Sequence, residues 1–305
     1  MLENSAKEYL KAFNQMPAMQ TMEPEEARKM LDEAPPAEIE LAPVQSVKDL
    51  RIPVRDGEIN VRIYTPEGKG PFPIFVYYHG GGWVIGDLET ADATLHLVAN
   101  RTGYVVVSVD YRLSPEYKFP VPLHDAHDAL KWVHEHADSF HGDKNKIVVS
   151  GDSAGGNLAT VVSMLDRENG DDLVDAQVLI YPVTDLSYSS NSYEQFKKGY
   201  GLDKDLMMWF GNHYIRDEKD SKNPHVAPLL AKDVSNMPPA FILTAGYDVL
   251  RDEGQAYAEK LKEAGVHVET VCEKGLVHGY FTNYAAFPAE VRRSVDAIDQ
   301  FLKSL

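Results

Sequence analysis

Ile147-Val148-Val149-Ser150-Gly151-Asp152-Ser153-Ala154-Gly155-Gly156-Asn157 is the stretch on which the reading of this chain turns. A β-branched run feeds a serine with glycines two places before and after it, and Leu158-Ala159-Thr160-Val161-Val162 then reads as helix. Strand, sharp turn and helix around Gly-x-Ser-x-Gly form the nucleophile-elbow pattern. The turn holds Ser153 in a strained backbone conformation, so its neighbours at −2 and +2 must lack side-chain bulk. The serine Oγ is thereby lifted clear of the sheet. The Ala154 N–H opens the helix, where it is placed to stabilise an anionic oxygen.

Upstream, the apolar run Ile74-Phe75-Val76-Tyr77-Tyr78 reads as a buried strand and leads into His79-Gly80-Gly81-Gly82-Trp83. Three consecutive glycines cost chain entropy, which makes a purely structural role a poor explanation. They permit close backbone approach and leave N–H groups free, as an oxyanion hole requires.

A serine hydroxyl needs an adjacent base, and the base needs a carboxylate to orient it. In an elbow fold these partners follow the serine, acid before histidine, on loops after later strands. Phe241-Ile242-Leu243-Thr244-Ala245-Gly246-Tyr247-Asp248 places an aspartate just past one strand, and Glu273-Lys274-Gly275-Leu276-Val277-His278-Gly279 places a histidine past the next. Asp252 is a rival acid, but it reads as the start of the following helix. His124, Asp125, His127 and Asp128 lie close together on a helix without a further ligand nearby, so a solvated helix face is expected there and no metal. His213 and His225 are expected at the surface.

Around these motifs strand and helix signals alternate. Val44 to Pro53 and Ile59 to Tyr64 flank an Asp56-Gly57 hairpin turn. Strands follow at Val105 to Val109, Ile147 to Ser150, Ala176 to Tyr181, Phe241 to Ala245 and Val266 to Cys272. Helices are expected at Leu123 to His136, Asn157 to Asp166, Gln255 to Ala264 and from Ala289 onward. This is the pattern of an α/β protein, a mostly parallel sheet with helices on both faces that begins with an antiparallel hairpin. Residues 1–36 read as two short helices, the second starting near Glu23-Pro24 and ending at Pro35-Pro36. Between Asp185 and about Val226 the alternation fails, and Leu206-Met207-Met208-Trp209-Phe210 marks a helix in an insertion. Met207, Met208 and Phe210 are candidates to line an apolar pocket beneath it.

Composition narrows the partners. Of 305 residues 47 are acidic and 30 basic, and the resulting formal charge of −17 disfavours nucleic acid and anionic membranes. Cys272 stands alone, so no internal disulfide forms, and it reads as a packed strand thiol. The N-terminus lacks the apolar stretch of a signal peptide, and no window approaches a membrane span, so a cytoplasmic protein is expected.

His79-Gly80-Gly81-Gly82-Trp83, Asp110-Tyr111-Arg112-Leu113-Ser114-Pro115-Glu116, Gly151-Asp152-Ser153-Ala154-Gly155-Gly156 and Tyr247-Asp248-Val249-Leu250-Arg251-Asp252-Glu253 together resemble the hormone-sensitive-lipase-like esterases, the bacterial family IV carboxylesterases. The likeness runs from about Val44 to the C-terminus. It departs at Ser114, Val249 and Tyr280, where Ala, Pro and Phe are usual, and none of these is a reacting group. The resemblance implies an α/β-hydrolase fold divided as N-terminal cap helices (1–43), core (44–185), cap insertion (186–225) and core (226–305). It implies a Ser153, Asp248, His278 triad, with Gly81, Gly82 and Ala154 as oxyanion donors and no cofactor. It also implies hydrolysis of short- to medium-chain acyl esters and a possible homodimer through an edge strand. Amide or lactone hydrolysis and acyl transfer would use the same triad. A non-catalytic small-ligand receptor is the alternative from another class, and the presence of His278 argues against it.

Overall fold

A computed structural model describes residues 1–33 and 39–305. Eight strands form one sheet in the order β1-β2-β4-β3-β5-β6-β7-β8. They are β1 (Ser46–Val54), β2 (Gly57–Thr65), β3 (Phe72–Tyr78), β4 (Val105–Asp110), β5 (Gly142–Asp152), β6 (Ala176–Ile180), β7 (Ala240–Tyr247) and β8 (Val268–Val277). The β1–β2 hairpin and the β2–β4 pair are antiparallel, and every other pairing is parallel. The hairpin turns at Asp56, whose φ of 64° belongs to the left-handed region that Asp-Gly turns use.

The central strands carry apolar runs, such as Ile147-Val148-Val149 in β5 and Val105-Val106-Val107 in β4, where both faces are covered. Successive residues of β3 serve opposite sides: Ile74, Val76 and Tyr78 join one core, Phe75 and Tyr77 the other. On the first side lie α4 (Val121–His136), α5 (Ala154–Asn169) and α8 (Arg251–Glu263), through Leu130, Leu158 and Leu261. On the second lie α3 (Asp92–Thr102) and α9 (Pro288–Ser304), through Leu95, Val98, Val291, Ile298 and Phe301.

The strand and helix expectations hold with shifts at their ends; β5 starts earlier, at Gly142, and β8 runs on to Val277. The helix α3 has no counterpart in the sequence reading. Its buried Thr94, Leu95, Leu97, Val98 and Ala99 are nearly consecutive, so no single apolar stripe marks it. Two helices do form at the N-terminus, α1 (Asn4–Phe13) and α2 (Pro24–Asp32). The expected stop at Pro35-Pro36 lies outside the described residues. Between β6 and β7 the chain leaves the sheet and builds α6 (Asn191–Gln195) and α7 (Lys204–Tyr214).

The cluster on α4 requires correction. It is not a solvated face: Asp125 is wholly buried and His127 nearly so. Asp125 accepts hydrogen bonds from Arg112 Nη2 at 2.6 Å and Nε at 2.8 Å, joining α4 to the segment after β4. Burial lowers the His127 pKa, which favours its neutral form. His213 and His225 are half-buried instead of exposed, the first edge-on to Trp209 and the second bonded to Glu168 at 3.0 Å. No helix among the described residues is long and apolar enough to cross a membrane.

Candidate active site

Ser153 stands between β5 and α5 with φ 57° and ψ −118°. For a residue with a side chain this is a costly conformation, sustained only where the surroundings over-determine it. They do so here. A Cβ on Gly155 would collide with the carbonyls of Tyr78 and His79, and one on Gly151 with the Gly155 and Tyr78 carbonyls. The serine N–H is also fixed, donating to the Ile180 carbonyl at 2.8 Å.

The C-terminal ends of three parallel strands bring the remaining groups to this serine, as expected for the ligand-facing edge of such a sheet. His278, just past β8, places Nε2 2.9 Å from Ser153 Oγ. Its Nδ1 lies 2.8 Å from Asp248 Oδ2, at the end of β7. A carboxylate at Nδ1 selects the tautomer whose Nε2 accepts from the serine hydroxyl. Asp248 is almost completely buried, and its other oxygen accepts the Leu250 N–H at 2.9 Å. Asp252 belongs to the first turn of α8 and accepts from Ser192 N and Arg251 Nε, away from the imidazole.

The glycine loop closes the other side. Gly81 and Gly82 have φ of 110° and 60°, and the Gly81 carbonyl accepts from both Val84 and Ile85 N–H at 3.0 Å. Neither the Gly81 nor the Gly82 N–H meets an acceptor among the described residues. The Ala154 N–H, in the first turn of α5, has no partner within its helix.

Two further residues were not anticipated. Asp152 Oδ1 accepts from Gly80 N and from Tyr77 Oη, each at 2.7 Å, and so ties the elbow to the glycine loop. Burial raises the Asp152 pKa in spite of these donors. Tyr181 follows β6 at φ 34° and packs its ring 4.5 Å from that of His278. Burial drives its phenol far toward the neutral form. Side-chain pairings between distant segments leave no local pattern to read, although Asp152 and Tyr181 each flank a motif or strand that was recognised.

A cleft of about 1060 Å³ opens over Ser153 and His278. Its walls include Tyr9, Phe13 and Leu31 from the N-terminal helices and Leu202, Leu206 and Phe210 from the insertion. Of the three pocket candidates, only Phe210 is in place. Met207 turns into the core at 1% exposure, and Met208 faces outward at 41%. The phase of α7 explains this, since Leu206 and Phe210 share a face at i and i+4. The Phe210 ring occupies the space where a Cβ on Gly82 would lie. No group of three or more His, Cys, Asp or Glu suited to a metal occurs among the described residues.

This fold, with a serine, histidine and aspartate linked in line beside unpaired N–H groups, defines the serine-hydrolase class. Residues 75–282 match the alpha/beta hydrolase fold family. An arylesterase from Saccharolobus solfataricus is 41% identical over 257 residues, covering 84% of each chain. An ethyl acetate hydrolase from Pseudomonas putida is 35% identical over 268 residues, 86% of this chain and 84% of that one. The hyperthermophilic esterase from the archaeon Pyrobaculum calidifontis superposes with a TM-score of 0.91 at 40% identity, over 99% of this chain and 98% of that one. The chain belongs to the alpha/beta hydrolase fold family, among the hormone-sensitive-lipase-like (family IV) carboxylesterases. It is a carboxylic-ester hydrolase of the serine type.

Proposed function

We propose that Ser153, His278 and Asp248 hydrolyse short- to medium-chain acyl esters in two steps. Ser153 Oγ attacks the ester carbonyl as His278 Nε2 takes its proton, and Asp248 stabilises the resulting imidazolium. The carbonyl oxygen, now negative, is received by the N–H groups of Gly81, Gly82 and Ala154. Loss of one such donor costs about 3 kcal/mol of transition-state stabilisation. The imidazolium protonates the departing alcohol, and water activated by His278 then releases the acid and restores Ser153.

The observation that carries this reading is the unbroken chain Asp248 Oδ2–His278–Ser153 Oγ, at 2.8 and 2.9 Å, on the floor of the cleft. Phe210, directly over the glycine loop, supports the limited acyl range. The name of the Pseudomonas relative, an ethyl acetate hydrolase, points the same way. Residues 1–43 and 186–225 act as the two parts of a cap, since both contribute side chains to the cleft. Two copies are proposed to pair as a homodimer through β8, one of the sheet's two edge strands. A single half-buried cysteine suits a reducing cytoplasm.

The test is turnover of p-nitrophenyl esters from acetate to laurate, with Ser153→Ala alongside. Activity peaking at or below the octanoate and abolished in the variant is the expected result. A folded wild type inert on every ester would overturn the reading.

A further inference from the structure

We infer that Arg28, on the N-terminal helix α2, is a positioning residue that fixes the oxyanion loop from outside the α/β core. The inference rests on the esterase reading above and extends it.

Little of α2 is packed: of its nine residues only Pro24 and Ala27 are buried. Leu31 reaches the cleft wall, but the side-chain hydrogen bonds that tie α2 to the oxyanion loop and the Ser114–Glu116 segment all come, among the described residues, from one guanidinium, Arg28. Arg28 Nε donates to the Val84 carbonyl at 2.8 Å, and Nη2 donates to the Ser114 carbonyl at 2.7 Å. Nη1 and Nη2 also donate to the two oxygens of Glu116, each at 2.8 Å. Arg28 holds the Glu116 carboxyl below its usual range.

Val84 and Ser114 belong to segments that are already joined, for Ser114 N donates to the Trp83 carbonyl at 2.8 Å. Val84 is part of the turn that starts at Gly81, and Gly81 and Gly82 of that turn line the cleft with N–H groups that meet no acceptor among the described residues. The guanidinium therefore pins the far end of the oxyanion turn to the Ser114–Glu116 segment. Trp83, Val84 and Ser114 are wholly buried, so carbonyls deprived of Arg28 have little water to turn to. A planar fork with five donors can serve two carbonyls and a carboxylate together, whereas a lysine ammonium cannot match that geometry. A loosened turn would misplace donors whose value depends on their position when negative charge forms.

The experiment compares wild type, Arg28→Ala and Arg28→Lys on the p-nitrophenyl acetate and hexanoate esters, with inhibition by a trifluoromethyl ketone and the Tm of each protein. Expected for Arg28→Ala are a roughly tenfold fall in kcat by the same factor on both esters, KM within about twofold, and a parallel weakening of the ketone. Arg28→Lys should fall between. Acetate kcat within twofold of wild type, with KM rising only for hexanoate, would make Arg28 an anchor of the cleft wall and overturn the inference. A lowered Tm with unchanged kcat and ketone affinity would overturn it as well. If Arg28→Ala fails to fold, Arg28→Lys decides, and wild-type kcat in that variant counts against the inference. A wild type inactive on both esters would instead overturn the esterase reading, and the inference with it.

Discussion

Glu253 is a buried carboxyl that takes no part in the triad. It lies in the first turn of α8, buried, with Oε1 accepting from Thr184 N at 2.7 Å and Asp185 N at 3.2 Å. Burial outweighs both donors and lifts its pKa well above the usual carboxylate value. A carboxyl with a raised folded-state pKa favours the fold at low pH. That contribution fades as pH climbs from the ordinary carboxylate value, about 4.3, through the raised one. Glu253→Gln keeps an oxygen for the two N–H groups and has no proton to lose. Thermal denaturation should therefore show the Tm of the variant gaining on wild type between pH 5 and pH 8; a gap that narrows over this range would contradict the assignment. Legibility in the sequence varied with how local each residue's constraint is. Ser153 was readable because glycines must surround it, and Asp248 and His278 because each follows a strand end. Arg28, Asp152 and Glu253 depend on partners more than fifty residues away, and no local spacing encodes such pairings.

At the scale of elements, α7 supplies Leu206 and Phe210 to the cleft wall. The Met/aromatic run marked it as a helix with a buried face, but the run is apolar at five successive positions and so did not fix its rotation. The structure turns Leu206 and Phe210 to the cleft and Met208 to the outside. Phe210→Ala removes a ring from above Gly82 and should shift the best acyl chain longer by two or more carbons, read from kcat/KM along the ester series. Truncating so buried a side chain should also lower stability by about 3 kcal/mol. An unchanged chain-length optimum in the folded variant would remove Phe210 from the acyl wall. The parallel strands were legible because strands buried on both faces carry continuous apolar runs. Helix α3 escaped because its buried residues Thr94, Leu95, Leu97, Val98 and Ala99 are nearly consecutive and give no clean apolar stripe, although Asp92, His96 and Asn100 form a polar face.

Across the whole molecule, the C-terminal end of the parallel strands carries the chemistry, and β1 and β8 are the two outer strands of the sheet. At β8 no further strand pairs among the described residues, and the Glu3 N–H meets only the Gly275 carbonyl near its end, which leaves the rest of the edge as the proposed seam for a second copy. Sedimentation velocity should give twice the 34.1 kDa chain mass, and a lysine at the exposed Thr270 should favour the monomer. A wild-type monomer at micromolar concentration would exclude the homodimer. The excess of acidic residues bears on this scale too, as it opposes binding to polyanions without saying which ester is the substrate.

Catalysis as proposed turns on the strained Ser153, whose Oγ is the nucleophile that becomes acylated. Mass spectrometry after treatment with diethyl p-nitrophenyl phosphate tests it most directly, because the organophosphate is trapped on an activated nucleophile before hydrolysis. One diethylphosphoryl group per chain, located on the peptide containing Ser153 and absent from Ser153→Ala, is the predicted result. Stable labelling of another residue, with Ser153 unmodified, would contradict it.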